Sequence, residues 1–202
     1  MVDFYDSLLD RYVLNNAIQW LSIPGNEETS VSVNLSTKSF NDPELPLFVK
    51  EALAKSHVKP SNLILEVTES ALAEPERALP VMQELKHLGL RIALDDFGTG
   101  YSSMAYLAQY PFDRLKIDGV FLRLVGKSVH SEALLKALVQ LGRALGLEVQ
   151  VEGVEDGRML DFLREIGCDF AQGYFVGSPS LVEQFVRTRV NLDHEGQGLQ
   201  GR

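Results

Sequence analysis

The stretch Leu94–Ser103 reads LDDFGTGYSS, in which an apolar strand pattern ends in two carboxylates and a turn. Asp95 and Asp96 are adjacent, and like charges this close repel each other unless a cation, hydrogen-bond donors or solvent compensates them. The two glycines allow backbone angles that are closed to other residues. The two serines at the end of the stretch can cap a following helix. The pattern predicts a strand, an acidic turn and a helix, and it leaves open whether the turn is simply solvated or holds a cation.

Apolar strand patterns alternate with helical patterns on both sides of this stretch. Predicted strands are Val31 to about Asn34, Leu63–Glu69, Leu90–Leu94, Leu115–Asp118, Leu147–Val151 and Asp169–Tyr174. Predicted helices cover about residues 1–21, 47–55, 76–88, 104–110, 131–145, 157–166 and 180–190. This alternation is typical of a parallel sheet with crossover helices, either a barrel or an open doubly wound sheet. An open sheet usually carries a glycine-rich phosphate loop after its first strand, and no G-x-G-x-x-G or Walker lysine loop is present.

Composition indicates a soluble chain that can bury one sizeable core, since 45% of its 202 residues are hydrophobic. The net charge of −9 argues against broad contact with nucleic acid or anionic membranes, so an anionic substrate would need bound cations or local donors. No run reaches the roughly 20 apolar residues of a membrane span, and the start lacks a secretory signal pattern. We therefore predict a cytoplasmic location, with the single Cys168 as a buried structural residue.

Polar side chains stand at the carboxyl ends of all six predicted strands, which form the functional edge in either architecture. They are Asn34, Glu66, Asp95, Asp96, Lys116, Asp118, Glu152, Glu155 and Gln172. Each alone has a structural interpretation as a turn former or solvated strand end, but so many carboxylates together would repel one another without divalent cations. Oxygen ligands favour Mg²⁺ or Mn²⁺. Two such ions suit phosphodiester hydrolysis, with Lys116 orienting the nucleophilic water or stabilising developing charge.

Six motifs follow one another along the chain: SVNLS at 32–36, LEVTE at 65–69, DDFGTGYSS at 95–103, LKID at 115–118, EGVE at 152–155 and QGY at 172–174. In this order they resemble the EAL domain family, the bacterial phosphodiesterases that hydrolyse cyclic di-GMP to linear pGpG. The resemblance covers about Leu8 to Pro179 and implies an α/β fold, a TIM-like (β/α) barrel.

The resemblance also implies roles for individual residues. Metal ligands would be Asn34, Glu66, Asp95, Asp96 and Glu152. Catalytic positions would be Lys116, Asp118, Glu152 and Gln172, and substrate-binding positions would be Thr68, Glu155 and Tyr174. Glu69 would stabilise the loop after Asp96, and this loop with the next helix would form a homodimer contact.

The family's first strand, which carries its Glu-Ala-Leu motif, has no counterpart in the sequence. We therefore expect an N-terminally truncated EAL-type domain over residues 1–190 and a disordered tail over 191–202. The favoured function is metal-dependent hydrolysis of cyclic di-GMP. The alternatives are a catalytically impaired module that binds cyclic di-GMP, or a regulatory fragment that needs a partner to close its barrel.

Overall fold

A computed structural model describes residues 2–98, 104–127 and 129–179 of the chain. The strands are β1 (Val31–Asn34), β2 (Leu63–Thr68), β3 (Arg91–Phe97), β4 (Arg114–Ile117), β5 (Glu148–Val151) and β6 (Phe170–Ala171). The helices are α1 (Val2–Leu21), α2 (Thr37–Phe40), α3 (Leu45–Ala54), α4 (Pro75–His87), α5 (Met104–Gln109), α6 (Gly119–Arg123), α7 (Val129–Ala144) and α8 (Gly157–Glu165). Two 3₁₀ turns, Pro60–Asn62 and Glu69–Leu72, flank β2. The predicted tail and the predicted helix at 180–190 lie outside the described residues.

The strands form a six-stranded sheet in chain order, from β1 to β6. β1 runs parallel to β2 with Asn34 opposite Glu66, and β2 runs parallel to β3 with Thr68 opposite Asp95. β5 and β6 are also parallel. Helices connect consecutive strands, as a parallel α/β fold requires.

The described residues fall into two compact units, one up to Lys116 together with Leu145–Leu147, and one from Ile117 onward without that short segment. In the first unit, β2 is buried along nearly its whole length, with Leu63, Leu65 and Val67 at 0% exposure. A strand covered on both faces is typical of parallel sheets and explains its continuous apolar run. Its core continues into α4 through Met82 and Leu85.

In the second unit, the core is formed by apolar side chains of β5 and the helices α6, α7 and α8. These are Leu122, Leu135, Val139, Val149, Val151, Leu160 and Leu163. Cys168 is buried as predicted, and its Sγ donates to the carbonyl oxygens of Val149 (3.3 Å) and Phe170 (3.0 Å). Burial raises the pKa of its thiol to about 12.

One aspartate in each unit clamps the starting end of a strand. Asp113, just before β4, accepts a hydrogen bond from Ile92 N at 2.7 Å and donates its own backbone N–H to Ile92 O at 2.9 Å. Asp169, just before β6, makes the same pair of bonds to Val149, at 2.8 and 3.0 Å. We call these the aspartate brackets. Lys86 reinforces the first bracket, with Nζ 2.6 Å from Asp113 Oδ2.

The bounds of two strands, β3 and β6, differ from prediction by more than one residue at an end. β3 continues through Asp95 and Asp96 to Phe97, where the sequence pattern predicted a strand that stops at Leu94. The apolar run ends at Leu94, but Asp95 is only 8% exposed because its charge is compensated inside the sheet. β6 is shorter than predicted, with two residues.

Candidate active site

A buried lysine joins two carboxylates near the carboxyl ends of β2, β3 and β4. Lys116 Nζ lies 2.6 Å from Glu66 Oε2 and 2.9 Å from Asp95 Oδ1. The side chains of Lys116, Glu66 and Asp95 are 4%, 6% and 11% exposed. Charges this well buried persist only when they are paired, so each member of the cluster depends on the others. Two carboxylates and one ammonium leave a formal charge of −1 that a further cation can neutralise.

Asp96 adopts a backbone conformation that is rare for a non-glycine residue, with φ at 54°. A regular strand directs successive side chains to opposite faces of the sheet. The left-handed backbone conformation of Asp96 interrupts this regular alternation. One carboxylate oxygen of Asp95 and one of Asp96 lie within 4.8 Å of each other. Asp95 Oδ1 also accepts a hydrogen bond from Asp96 N at 3.0 Å. The adjacent carboxylates are therefore close enough to bind one cation together.

Asn34 adds an amide oxygen to the same edge of the sheet. It is the last residue of β1 and pairs in register with Glu66, and its side chain is exposed. Thr68 ends β2 opposite Asp95, with Oγ1 2.8 Å from Ser70 Oγ. The first unit thus brings the predicted ligands Asn34, Glu66, Asp95 and Asp96 to the ends of three adjacent strands.

Glu69 holds the start of the loop that follows β3. Its Oε1 accepts a hydrogen bond from Gly98 N at 3.3 Å, and Gly98 has a φ of 95°, which suits glycine. The contact joins Glu69 to the first residue after β3, and the loop-stabilising role of Glu69 stays a prediction. The remainder of the loop, including the predicted serine cap, lies outside the described residues.

In the second unit, Asp118 and Glu152 follow β4 and β5 directly. Asp118 caps α6, because its Oδ1 accepts a hydrogen bond from Val120 N at 2.6 Å. The residues after them, Gly119 and Gly153, are in backbone contact, and a Cβ added to Gly119 would lie 3.0 Å from Gly153 Cα. A side chain at Gly119 would force the two backbones apart by a few tenths of an ångström, so the glycines allow the backbones next to Asp118 and Glu152 to approach closely.

Gln172 follows β6 and is held by a side chain that the sequence interpretation missed. Gln150 Nε2 donates to Gln172 Oε1 at 2.7 Å, and Gln150 is only 6% exposed. The sequence does contain an indication of this contact, because Gln150 lies between two valines in β5 and buried polar groups need hydrogen-bond partners.

The backbone around Gln172 is tied to the segment after β5. Val154 N donates to Gln172 O at 3.0 Å, and Phe175 N donates to Val154 O at 3.1 Å. Gly173 lies against Val154 so closely that an added Cβ would be 2.7 Å from the Val154 carbonyl carbon. By contrast, Tyr174 is 75% exposed and Glu155 is exposed, which leaves both side chains accessible to a ligand.

The EAL domain model matches residues 3–179 of the chain, so the chain belongs to the EAL domain family. It is 38% identical over 183 residues to the bifunctional diguanylate cyclase/cyclic di-GMP phosphodiesterase MucR of Pseudomonas aeruginosa, covering 88% of the chain and 27% of that protein. It is also 38% identical over 158 residues to the cyclic di-GMP phosphodiesterase PdeR of Escherichia coli, covering 78% and 24%. The chain therefore spans about a quarter of the length of these curated relatives.

Solved structures confirm the predicted α/β fold of the (β/α)-barrel type. The structure of the PaMucR phosphodiesterase in a c-di-GMP complex superposes with a TM-score of 0.82 at 36% identity, over 88% of this chain and 73% of that one. The EAL domain protein from Listeria monocytogenes superposes with a TM-score of 0.79 at 30% identity, over 91% and 76%. Among the described helices, none has the length and apolar character needed to cross a membrane.

Proposed function

We propose that this chain is the catalytic domain of a metal-dependent phosphodiesterase that hydrolyses cyclic di-GMP to linear pGpG. The observation that carries the proposal is the buried Glu66–Lys116–Asp95 cluster at the strand ends of an EAL domain. MucR and PdeR, named as cyclic di-GMP phosphodiesterases, provide the substrate class. The c-di-GMP complex of a similar domain supports the same ligand.

The donor set fits a hard divalent cation. The oxygens of Asn34, Glu66, Asp95 and Asp96 are the ligand type that Mg²⁺ and Mn²⁺ prefer, and their net negative charge needs such a partner. We propose two ions, with Glu152 as a further ligand. When bound, they supply positive charge for phosphoryl oxygens and acidify a water for attack.

The chain's own residues would orient the reaction. We assign to Lys116 the orientation of the nucleophilic water and the stabilisation of charge that develops on phosphate, because it is the buried cation of the cluster. Asp118 and Gln172 would hold that water by hydrogen bonds, each with its side chain already fixed by one protein partner. Thr68, Glu155 and Tyr174 would bind the substrate. We further propose a cytoplasmic homodimer formed through the loop and helix after Asp96.

Chromatography of pGpG formed from cyclic di-GMP, with Mg²⁺ or Mn²⁺, tests the proposal. Asp95→Asn should reduce turnover by more than about 100-fold, because it removes a ligand and weakens the partner of Lys116. Asp161→Asn removes the same charge from an exposed position on α8 that has no assigned role in the site, and it should leave turnover unchanged. Turnover that survives in Asp95→Asn would refute the assigned site. Binding of cyclic di-GMP by the wild-type chain without pGpG would instead favour the binding-module alternative.

A further inference from the structure

The ammonium group of Lys116 forms ion pairs with two carboxylates that the proposed function assigns as metal ligands. Its ammonium contacts Glu66 Oε2 and Asp95 Oδ1, and none of the three side chains is more than 11% exposed. Water has little access to replace the ammonium at either oxygen. A divalent cation that binds Glu66 and Asp95, through these oxygens or through the other oxygen of each carboxylate, must therefore lie beside the ammonium or displace it.

Both arrangements weaken metal binding. Binding beside the ammonium brings two positive charges close together, and this repulsion is large in a buried site where the effective dielectric is low. Displacement breaks two charge-assisted hydrogen bonds that the metal contacts must first offset. The backbone cannot relieve the conflict easily, because Glu66 lies in a strand that is buried along nearly its whole length and Lys116 lies in a strand whose four residues are all buried.

We propose that Lys116 acts as an internal competitor of the divalent cation, so that its charge sets the affinity of the site for metal. The ammonium keeps Glu66 and Asp95 paired when no divalent ion is bound, and it lowers the affinity when one is. The inference rests on the proposed function only in taking Glu66 and Asp95 as metal ligands. It assigns Lys116 a positioning role that is separate from any contact with substrate.

Titration of the full chain with Mn²⁺, after chelator treatment, measures this competition without any substrate. The free Mn²⁺ signal in electron paramagnetic resonance gives the affinity directly. Lys116→Met should bind Mn²⁺ at least about tenfold more tightly than wild type, because the like charge is removed. Lys116→Arg retains the charge and should bind about as weakly as wild type.

Lys86→Met is the matched control. It removes one positive charge and one half-buried lysine–aspartate pair, but this pair lies at the starting ends of β3 and β4. Its Mn²⁺ affinity should stay within about twofold of wild type, since the lost charge is partly exposed to solvent and lies at the opposite end of the strands from the carboxylates. Equal tightening in Lys86→Met and Lys116→Met would show a general charge effect and would overturn the inference.

Thermal melting with and without Mn²⁺ keeps the test decisive if Lys116→Met is unstable. Without metal, this variant should melt below wild type because Glu66 and Asp95 lose their shared partner. Mn²⁺ should raise its melting temperature more than that of wild type, since ligand stabilisation grows with affinity. A variant that stays unfolded at saturating Mn²⁺ would contradict the inference, because a divalent ion could then not replace the ammonium.

The outcomes separate this inference from the proposed reaction. Tighter Mn²⁺ binding in Lys116→Met together with a wild-type chain that forms no pGpG would retain the competition and reject the phosphodiesterase. Turnover in the wild type together with unchanged or weaker Mn²⁺ binding in Lys116→Met would retain the enzyme and reject the competition.

Discussion

Gly173 offers the sharpest test of how the second unit holds its candidate catalytic residues. In Gly173→Ala, the new Cβ would meet the backbone N, C and O of Val154, with the carbonyl carbon at 2.7 Å. Non-bonded carbons normally stay about 3.5–4 Å apart, so one segment must move by roughly 1 Å. That movement disrupts the hydrogen bonds Val154 N to Gln172 O and Phe175 N to Val154 O.

The expected loss follows from those contacts. Two backbone hydrogen bonds at about 1 kcal/mol each give a decrease of about 2 kcal/mol in the free energy of unfolding, before any packing is lost. Urea denaturation followed by circular dichroism measures it. Pure steric conflict is the cause, because Gly173 is not among the described glycines with positive φ.

Gly177→Ala is the matched control, since it makes the same chemical change four residues away. A Cβ there would have no neighbour within 4 Å, and Gly177 likewise lacks a positive φ. Its unfolding free energy should stay within about 0.5 kcal/mol of wild type. If Gly173→Ala loses no more than Gly177→Ala, the close approach of Gly173 to Val154 does not constrain this segment.

Three further predictions concern other parts of the fold. Asp113→Ala removes the acceptor of Ile92 N and the partner of Lys86. It should lower the free energy of unfolding, measured by urea titration, by about 1–3 kcal/mol. A loss near zero would show that this aspartate bracket does not stabilise the fold. Burial raises the pKa of the Cys168 thiol from an ordinary 9.0 to about 12, so the thiol should not react with a thiol-specific reagent at pH 8 until denaturant is added. Between about pH 9 and 12 the unfolded chain releases a proton that the folded chain retains, so the free energy of unfolding should fall as pH rises. Asp156 caps α8, and the hydrogen bond from Met159 N lowers the pKa of its carboxyl below 3.8. Asp156→Ala should therefore lose stability at pH 7, and its difference from wild type should shrink as pH falls from about 3.8 through the lowered pKa of the folded state. A difference that stays constant into acid would contradict a cap by the ionised carboxylate.

Most of the sheet could be predicted from the sequence because its strands are short apolar runs bounded by turn residues. The positions of Asn34, Glu66 and Asp95 at strand ends followed from that pattern and from the geometry of parallel sheets. Helix positions followed from apolar periodicity, and α4 and α7 lie within about two residues of the predicted bounds.

Side-chain partnerships could not be predicted in the same way. Lys116 and Glu66 are 50 residues apart in sequence, and no local pattern indicates that they form an ion pair. The continuation of β3 through Asp95 depends on that distant charge, so the sequence interpretation ended the strand too early. The short helices α2 and α6 were missed because they are one-turn elements fixed mainly by the caps Ser36 and Asp118. The hydrogen bond of Gln150 was missed because its partner, Gln172, is 22 residues away in sequence.

The aspartate brackets have a consequence for how such a protein can change over evolutionary time. Each bracket fastens a strand at the end where it starts, through Asp113 or Asp169, whereas the candidate catalytic side chains follow the other end. Substitutions among the catalytic side chains can then alter reactivity without loosening the fastened ends. A lineage that loses hydrolysis could therefore keep a folded domain and reuse its surface for recognition.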